Sequence, residues 1–142
     1  VIAYKVVGKK KRDCSNWLIQ TRNRKIDRRS IAREIIRYYP RYPKGKIVKA
    51  VPDSVGILCF VDTNAAEHFI GQYRLDDMAK IVSVRGVGSP TYSPAIFWRV
   101  NASIDRLYLD YNSDGEIYKG SSPGVYAIKP SVVAFEAVEV LE

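Results

Sequence analysis

Three arginines spaced four apart, Arg29, Arg33 and Arg37, are the residues whose type and spacing point most plainly to a chemistry. A guanidinium is a planar fork of donors that grips phosphate oxygens in pairs, and it keeps its charge at any physiological pH. On a helix these three would form a stripe roughly 12 Å long, with Arg28 beside it. Glu34 is the only acid within that segment. Like charges four residues apart cost a helix a few tenths of a kcal/mol, and an external polyanion would relieve that cost. Further cations flank the stripe: Lys9, Lys10, Lys11 and Arg12 in one run, Arg22, Arg24 and Lys25 in another, then Arg41, Lys44 and Lys46. Trp17, Tyr38, Tyr39 and Tyr42 are interleaved with them. Cations that neutralise phosphates, together with rings that stack on exposed bases, are what single-strand nucleic-acid binders use. Trp17 and Tyr42 are the candidate stacking rings, although Trp17 and Tyr39 read better as core residues than as stacking platforms.

The charge distribution points the same way. Residues 1–49 contain 16 of the 23 Lys and Arg but only Asp13, Asp27 and Glu34 as acids, a net of +13. Residues 50–142 contain the other 7 basic residues against 12 acids, a net of −5. Such asymmetry points to nucleic acid or an anionic surface as a partner. The acidic half offers a surface for a protein partner or for self-association.

Reaction chemistry is harder to find. His68 is the only histidine, so a histidine-based metal site is not expected. With Glu67 or Asp62 it could act as the general base of a ribonuclease-type site, beside an arginine that stabilises phosphorane charge. Asp105, Asp110, Asp114 and Glu116 form a loose acidic group that a solvated hairpin explains. Gly86 and Gly88 lack the third glycine and following helix of a dinucleotide loop, and there is no P-loop. No cofactor and no metal are expected.

Residues Ile57–Asn64 (ILCFVDTN) resemble the strand and Asp-Thr-Asn opening of PIN-domain nucleases. The resemblance implies that Asp62 would help hold a divalent metal. In that family the motif lies near the chain start and a helix-rich body follows. Here 78 residues follow Asn64 and they read as strands, so Asp62, Thr63 and Asn64 read mainly as a helix cap.

The elements that must position these residues follow from periodicity. Val1–Val7 reads as a strand ended by Gly8, and Asn16–Thr21 as a second strand completing an early hairpin. Ile31, Ile35, Ile36 and Tyr39 fall on one helical face, predicting a helix over about 28–39 that Pro40 ends. Lys46–Val51 and Val55–Val61 read as strands, the second buried on both faces. A short helix follows from Asp62 through about Tyr73, with Ala65, Ala66, Phe69 and Ile70 inward. The remainder reads as β: Ala79–Val84, Ala95–Val100, Ile104–Tyr111, Glu116–Tyr118 and Val132–Leu141. Asn112-Ser113-Asp114-Gly115 is a hairpin signal.

With 142 residues, 46% of them hydrophobic, the chain can bury a core as a single domain. The expected architecture is α+β: a mostly antiparallel sheet, strongly curved or barrel-like, with two short-to-medium helices. A basic N-terminal part (1–49) precedes an acidic, strand-rich body (50–142). There is no apolar run of the length a transmembrane helix needs. Cys14 and Cys59, far apart and in no metal-ligand spacing, predict a reduced intracellular protein. The absence of an initiator Met points to trimming or an excised fragment. The expected function is non-enzymatic binding of RNA or single-stranded DNA. The alternatives are a small nuclease or toxin-type RNA-cleaving domain, and a capsid or complex-assembly subunit.

Overall fold

A computed structural model describes residues 1–22, 27–30, 33–52, 56–92, 95–97, 125–127 and 131–142. The strands expected at Ile104–Tyr111 and Glu116–Tyr118, the Asn112–Gly115 hairpin and the acidic group around it lie outside these residues.

The fold is α+β, with a mostly antiparallel seven-stranded sheet. Strand β1 (Ile2–Gly8) lies at its centre. It pairs along its whole length with β4 (Ala79–Val87), from Ile2↔Arg85 to Gly8↔Ala79. On its other side β1 meets β3 (Ile57–Phe60) at the single pair Tyr4↔Phe60. Beyond these lie β2 (Ile47–Lys49) and β5 (Thr91–Tyr92) at the two ends, with β8 (Val132–Phe135) and β9 (Ala137–Val140) next inward. A separate two-stranded ladder joins β6 (Ala95–Phe97) to β7 (Val125–Ala127).

The run Val132–Leu141, expected as one strand, is divided at Glu136, and its halves serve opposite sides of the sheet. β8 pairs with β3 and β5, whereas β9 pairs with β4 and β2. In the order β9-β4-β1-β3-β8 these halves are four strands apart, about 19 Å in a flat sheet at about 4.8 Å per strand. One intervening residue reaches only about 7 Å from Phe135 to Ala137. The sheet must therefore curl until β8 and β9 meet end to end. It is not closed into a barrel.

Two glycines make room for this bend. A Cβ on Gly86 would lie 2.0 Å from Cε1 of Phe135, whose ring is buried against that strand. Gly56 has φ +104, and a Cβ there would lie 2.8 Å from the Phe135 carbonyl oxygen. Glycine alone tolerates both the close approach and the left-handed backbone.

The segment Asn16–Thr21 is not a strand. The hairpin shrinks to one bridge, Val7↔Cys14, closed by Gly8 N–H donating to the Asp13 carbonyl (2.8 Å) with Arg12 at φ 58. Helix α1 (Ser15–Thr21) follows at once. Trp17 and Leu18 are adjacent yet pack into different clusters: Trp17 with Tyr39 and Val7, Leu18 with Val6, Ala66 and Leu75. The 100° step of a helix delivers neighbouring side chains in such different directions better than a strand held against this sheet would. Tertiary packing overrides the β-like composition of this short segment.

The helix expected over 28–39 is also revised. A 3-10 turn covers Arg28–Ser30 and α2 covers only Arg33–Ile36. Tyr39 N–H bonds the Ile36 carbonyl (2.9 Å), an i to i+3 closure that ends the helix early. Tyr38 and Tyr39 are both buried, and Pro40 disfavours helical backbone at Tyr39. Arg37 therefore lies beyond the helix.

Helix α3 (Thr63–Gln72) starts as expected, with Asp62 accepting from Ala65 N–H at 2.7 Å. Ala66 is fully buried, and Phe69 and Ile70 pack beside it over Val6 and Leu75. β3 is buried on one face (Ile57, Cys59) and half-buried on the other (Leu58, Phe60), rather than buried on both. No helix among the described residues is long and apolar enough to cross a membrane.

The bend at Phe135 generates a prediction. Gly86→Ala should lower the free energy of unfolding by about 1–3 kcal/mol, the usual cost of overpacking a filled core. Urea denaturation followed by circular dichroism measures it, and an unchanged midpoint would show that Phe135 can move aside freely.

Candidate functional site

The basic half of the chain is organised around one carboxylate. Asp13 follows the turn at the end of β1, and its backbone forms an isolated bridge with Arg41. Its Oδ1 accepts from Arg28 Nε (3.1 Å) and Nη2 (2.9 Å) and from Arg41 Nε (2.9 Å). Arg28 also donates to the Tyr39 carbonyl and lies over the Trp17 ring at 4.9 Å. Arg12 donates from Nε to the Tyr42 carbonyl (2.6 Å) and from Nη2 to the Glu142 carbonyl. These three arginines tie the β1 turn, the Arg28–Ser30 turn, the Tyr38–Tyr42 segment and the C-terminus together.

Two candidate stacking rings are unavailable as base platforms in this conformation. Trp17 is buried, edge-on to Tyr39 at 5.4 Å between centroids. Tyr42 is only 2% exposed. Among the described residues an exposed ring does lie near the cations: Tyr73, at the end of α3, whose carbonyl accepts from Arg22 Nη1. Lys9 Nζ reaches the Asp76 carbonyl of the same loop at 3.3 Å. Nothing in the composition singled out Tyr73; its position after a helix on the acidic side of the chain concealed it.

The remaining cations divide by exposure. Lys10, Lys11, Arg33 and Lys44 are exposed. Arg29 is exposed and pairs with Asp27 at 3.4 Å, a surface contact of little energetic consequence. The Arg29 backbone N–H donates to Asp27 Oδ1 (2.9 Å) and holds that carboxyl below its ordinary value. Arg37 lies over the Tyr38 ring at 5.2 Å. Arg24 and Lys25 lie outside the described residues.

His68, Glu67 and Asp62 are all exposed on or beside the first turns of α3. The Asp62 carboxylate is occupied as the helix cap. Among the described residues no three His, Cys, Asp or Glu side chains gather where they could hold a metal ion.

A cavity of about 710 Å³ lies where β1 and β3 part. Its wall takes Lys5 and Cys59 from one face of the sheet and Val6 and Phe60 from the other, and Ala65, His68 and Phe69 from α3. Arg37, Tyr38 and Tyr42 line it from the segment after α2. Both cysteines touch it and both are free thiols. Burial raises Cys14 above its ordinary value, an effect that the Trp17 backbone N–H, Lys5 and Arg28 partly offset. Burial pushes Cys59 up from 9.0 to about 11, with Lys5 opposing weakly. Such thiols are inert near neutrality.

Two outcomes follow. Asp13→Asn leaves Arg28, which is largely buried, without its counter-charge and should destabilise the fold by about 1–3 kcal/mol in urea titrations; the more exposed Arg41 contributes less. Below pH 9 the Cys59 thiol is protonated in both folded and unfolded chains and adds no pH dependence. Above it the unfolded chain releases the proton first, so stability falls as pH rises from 9.0 towards about 11. Its share of the loss is on the order of 2–3 kcal/mol. Cys59→Ala should flatten the alkaline limb of the stability profile, and an equally steep limb in the variant would remove Cys59 as its source.

Comparison of the chain with models of known families, with curated proteins and with solved structures gave no match.

Proposed function

We propose that this chain is a non-enzymatic binder of single-stranded nucleic acid, RNA or DNA, and that its basic N-terminal surface makes the contact. The observation that carries the reading is the imbalance left after internal pairing. Of the three acids in residues 1–49, Asp13 is taken by Arg28 and Arg41, and Asp27 by Arg29. Lys10, Lys11, Arg33 and Lys44 remain exposed, and none forms an ion pair with a carboxylate of the described residues. Solvated cations of this kind exchange counterions for phosphates at small desolvation cost. Arg12, Arg28 and Arg41 hold the surface together instead of meeting the ligand. Tyr73, exposed beside Arg22 and Lys9, takes the stacking role first assigned to Trp17 and Tyr42. With Tyr73 the exposed ring beside these cations among the described residues, binding would be led by phosphate contacts and would discriminate weakly among sequences.

The nuclease alternative retains one supporting observation: Asp62, His68 and Arg37 all line the same cavity. RNA cleavage lost on His68→Ala would favour it.

Fluorescence anisotropy with a labelled oligouridine over a salt series tests the binding reading. Each phosphate contact on a single strand contributes about −0.7 to the slope of log K against log salt, so joint Lys10→Gln, Lys11→Gln and Arg33→Gln should reduce its magnitude by about 2. Tyr73→Ala should cost about 1 kcal/mol or more without altering the slope. A wild-type slope near zero, or a triple variant that binds like wild type, would sink the proposal.

A further inference from the structure

We infer that the cavity between β1, β3 and α3 is a binding site for a small organic anion with a flat apolar body, its charged group held by Lys5. Alternation along β1 puts Lys5 on the same face as Ala3 and Val7, both fully buried, and Lys5 itself is only 7% exposed. A buried ammonium is costly unless it is matched by opposite charge. Its partners here are neutral: the Leu58 carbonyl at 2.7 Å and the face of the Tyr42 ring at 4.9 Å. No carboxylate of the described residues pairs with it.

The surroundings add positive charge where a structural lysine would need negative. Lys49 and Arg37 also line the cavity, and Asp62, the one carboxylate on its described wall, is engaged with Ala65 N–H. An anion entering beside Lys5 would therefore supply the missing charge and share the cavity with two more lining cations. The rest of the wall suits an uncharged ring system: Phe60, Phe69, Tyr38 and Val132 present apolar and aromatic surface. A volume of about 710 Å³ falls within the range of small-molecule sites, roughly 300–1,000 Å³. The site can open because β1 and β3 share a single register pair, so the sheet has no continuous ladder across it.

The inference is separable from the nucleic-acid reading: Lys10, Lys11 and Arg33 do not line the cavity, although Tyr73 does and so is shared by the two. The probe is anilinonaphthalene sulfonate, whose fluorescence rises in apolar sites, with neutral N-phenylnaphthylamine as its uncharged counterpart. The folded protein, shown to be so by a cooperative thermal transition, should bind one sulfonate. Lys5→Met should weaken the sulfonate about tenfold or more, as expected for loss of a charged hydrogen bond, and leave the neutral amine within about twofold. Lys49→Gln, a surface change that does not threaten folding, should give the same discrimination on a smaller scale. Competition with adenosine monophosphate and with naphthoate shows whether the site accepts a phosphate or a carboxylate, and displacement by either supports the site. No saturable binding, equal effects on both probes, or displacement by neither competitor would overturn it.

Discussion

The Asp13 carboxylate is the interaction on which the basic half depends. A segment with a net charge of +13 over 49 residues repels itself when compacted, and only three acids are available within it to oppose that. Asp13 sits where its position has the greatest effect: next to the turn that closes β1, bridged to Arg41 and gripped by Arg28 through two nitrogens. The contact is partly withdrawn from water, with the Asp13 side chain 12% exposed, so it is stronger than the paired charges of Arg29 and Asp27 on the open surface. The Arg28 guanidinium continues onto the Trp17 ring and the Tyr39 carbonyl. One acid thus fixes the aromatic cluster, and the aromatic cluster fixes the basic loops.

The second constraint is geometrical. β8 and β9 are separated by one residue but belong to opposite sides of the β3-β1-β4 core, so the sheet curls around Phe135. Gly86 and Gly56 are the places where the backbone yields to that ring and its peptide. The full β1–β4 ladder and the single β1–β3 pair show where the sheet is continuous and where it parts. Curling the sheet and opening the cavity are thus features of one strand arrangement, and Lys5 stands at the opening with its Nζ reaching across to the Leu58 carbonyl of β3.

What was legible in the sequence was local. The Asp62 cap, the inward face of α3 and the strands read at Val55–Val61 and Ala79–Val84, observed as Ile57–Phe60 and Ala79–Val87, follow from side-chain chemistry acting within a few residues. What misled was decided by distant neighbours. Trp17-Leu18-Ile19 reads as a strand until Leu18 must meet Leu75 and Trp17 must meet Tyr39. The arginine stripe reads as one helix until Tyr38 and Tyr39 are both drawn inward. Val132–Leu141 reads as one strand because nothing in its composition marks Glu136 as the point where pairing partners change. Lys5 could have been noticed, since a lysine between Ala3 and Val7 breaks an otherwise apolar face of a central strand. Net charge concealed it, because a count gives a buried ammonium the same value as an exposed one.

That distinction separates the roles assigned to the cations. Lys10 and Lys11 remain hydrated, so meeting a phosphate costs them little, and ions at physiological strength compete with each contact. Affinity from such groups comes from number, which is why the density of charge in residues 1–49 matters more than the position of any one. Arg28 has already lost much of its water and gained Asp13 in exchange, so it has little charge left to offer a ligand. Lys5 has lost its water and gained only a carbonyl and a ring. An anion bound beside it would supply the opposite charge, and the same desolvation would make such binding less sensitive to salt than any contact on the outer surface.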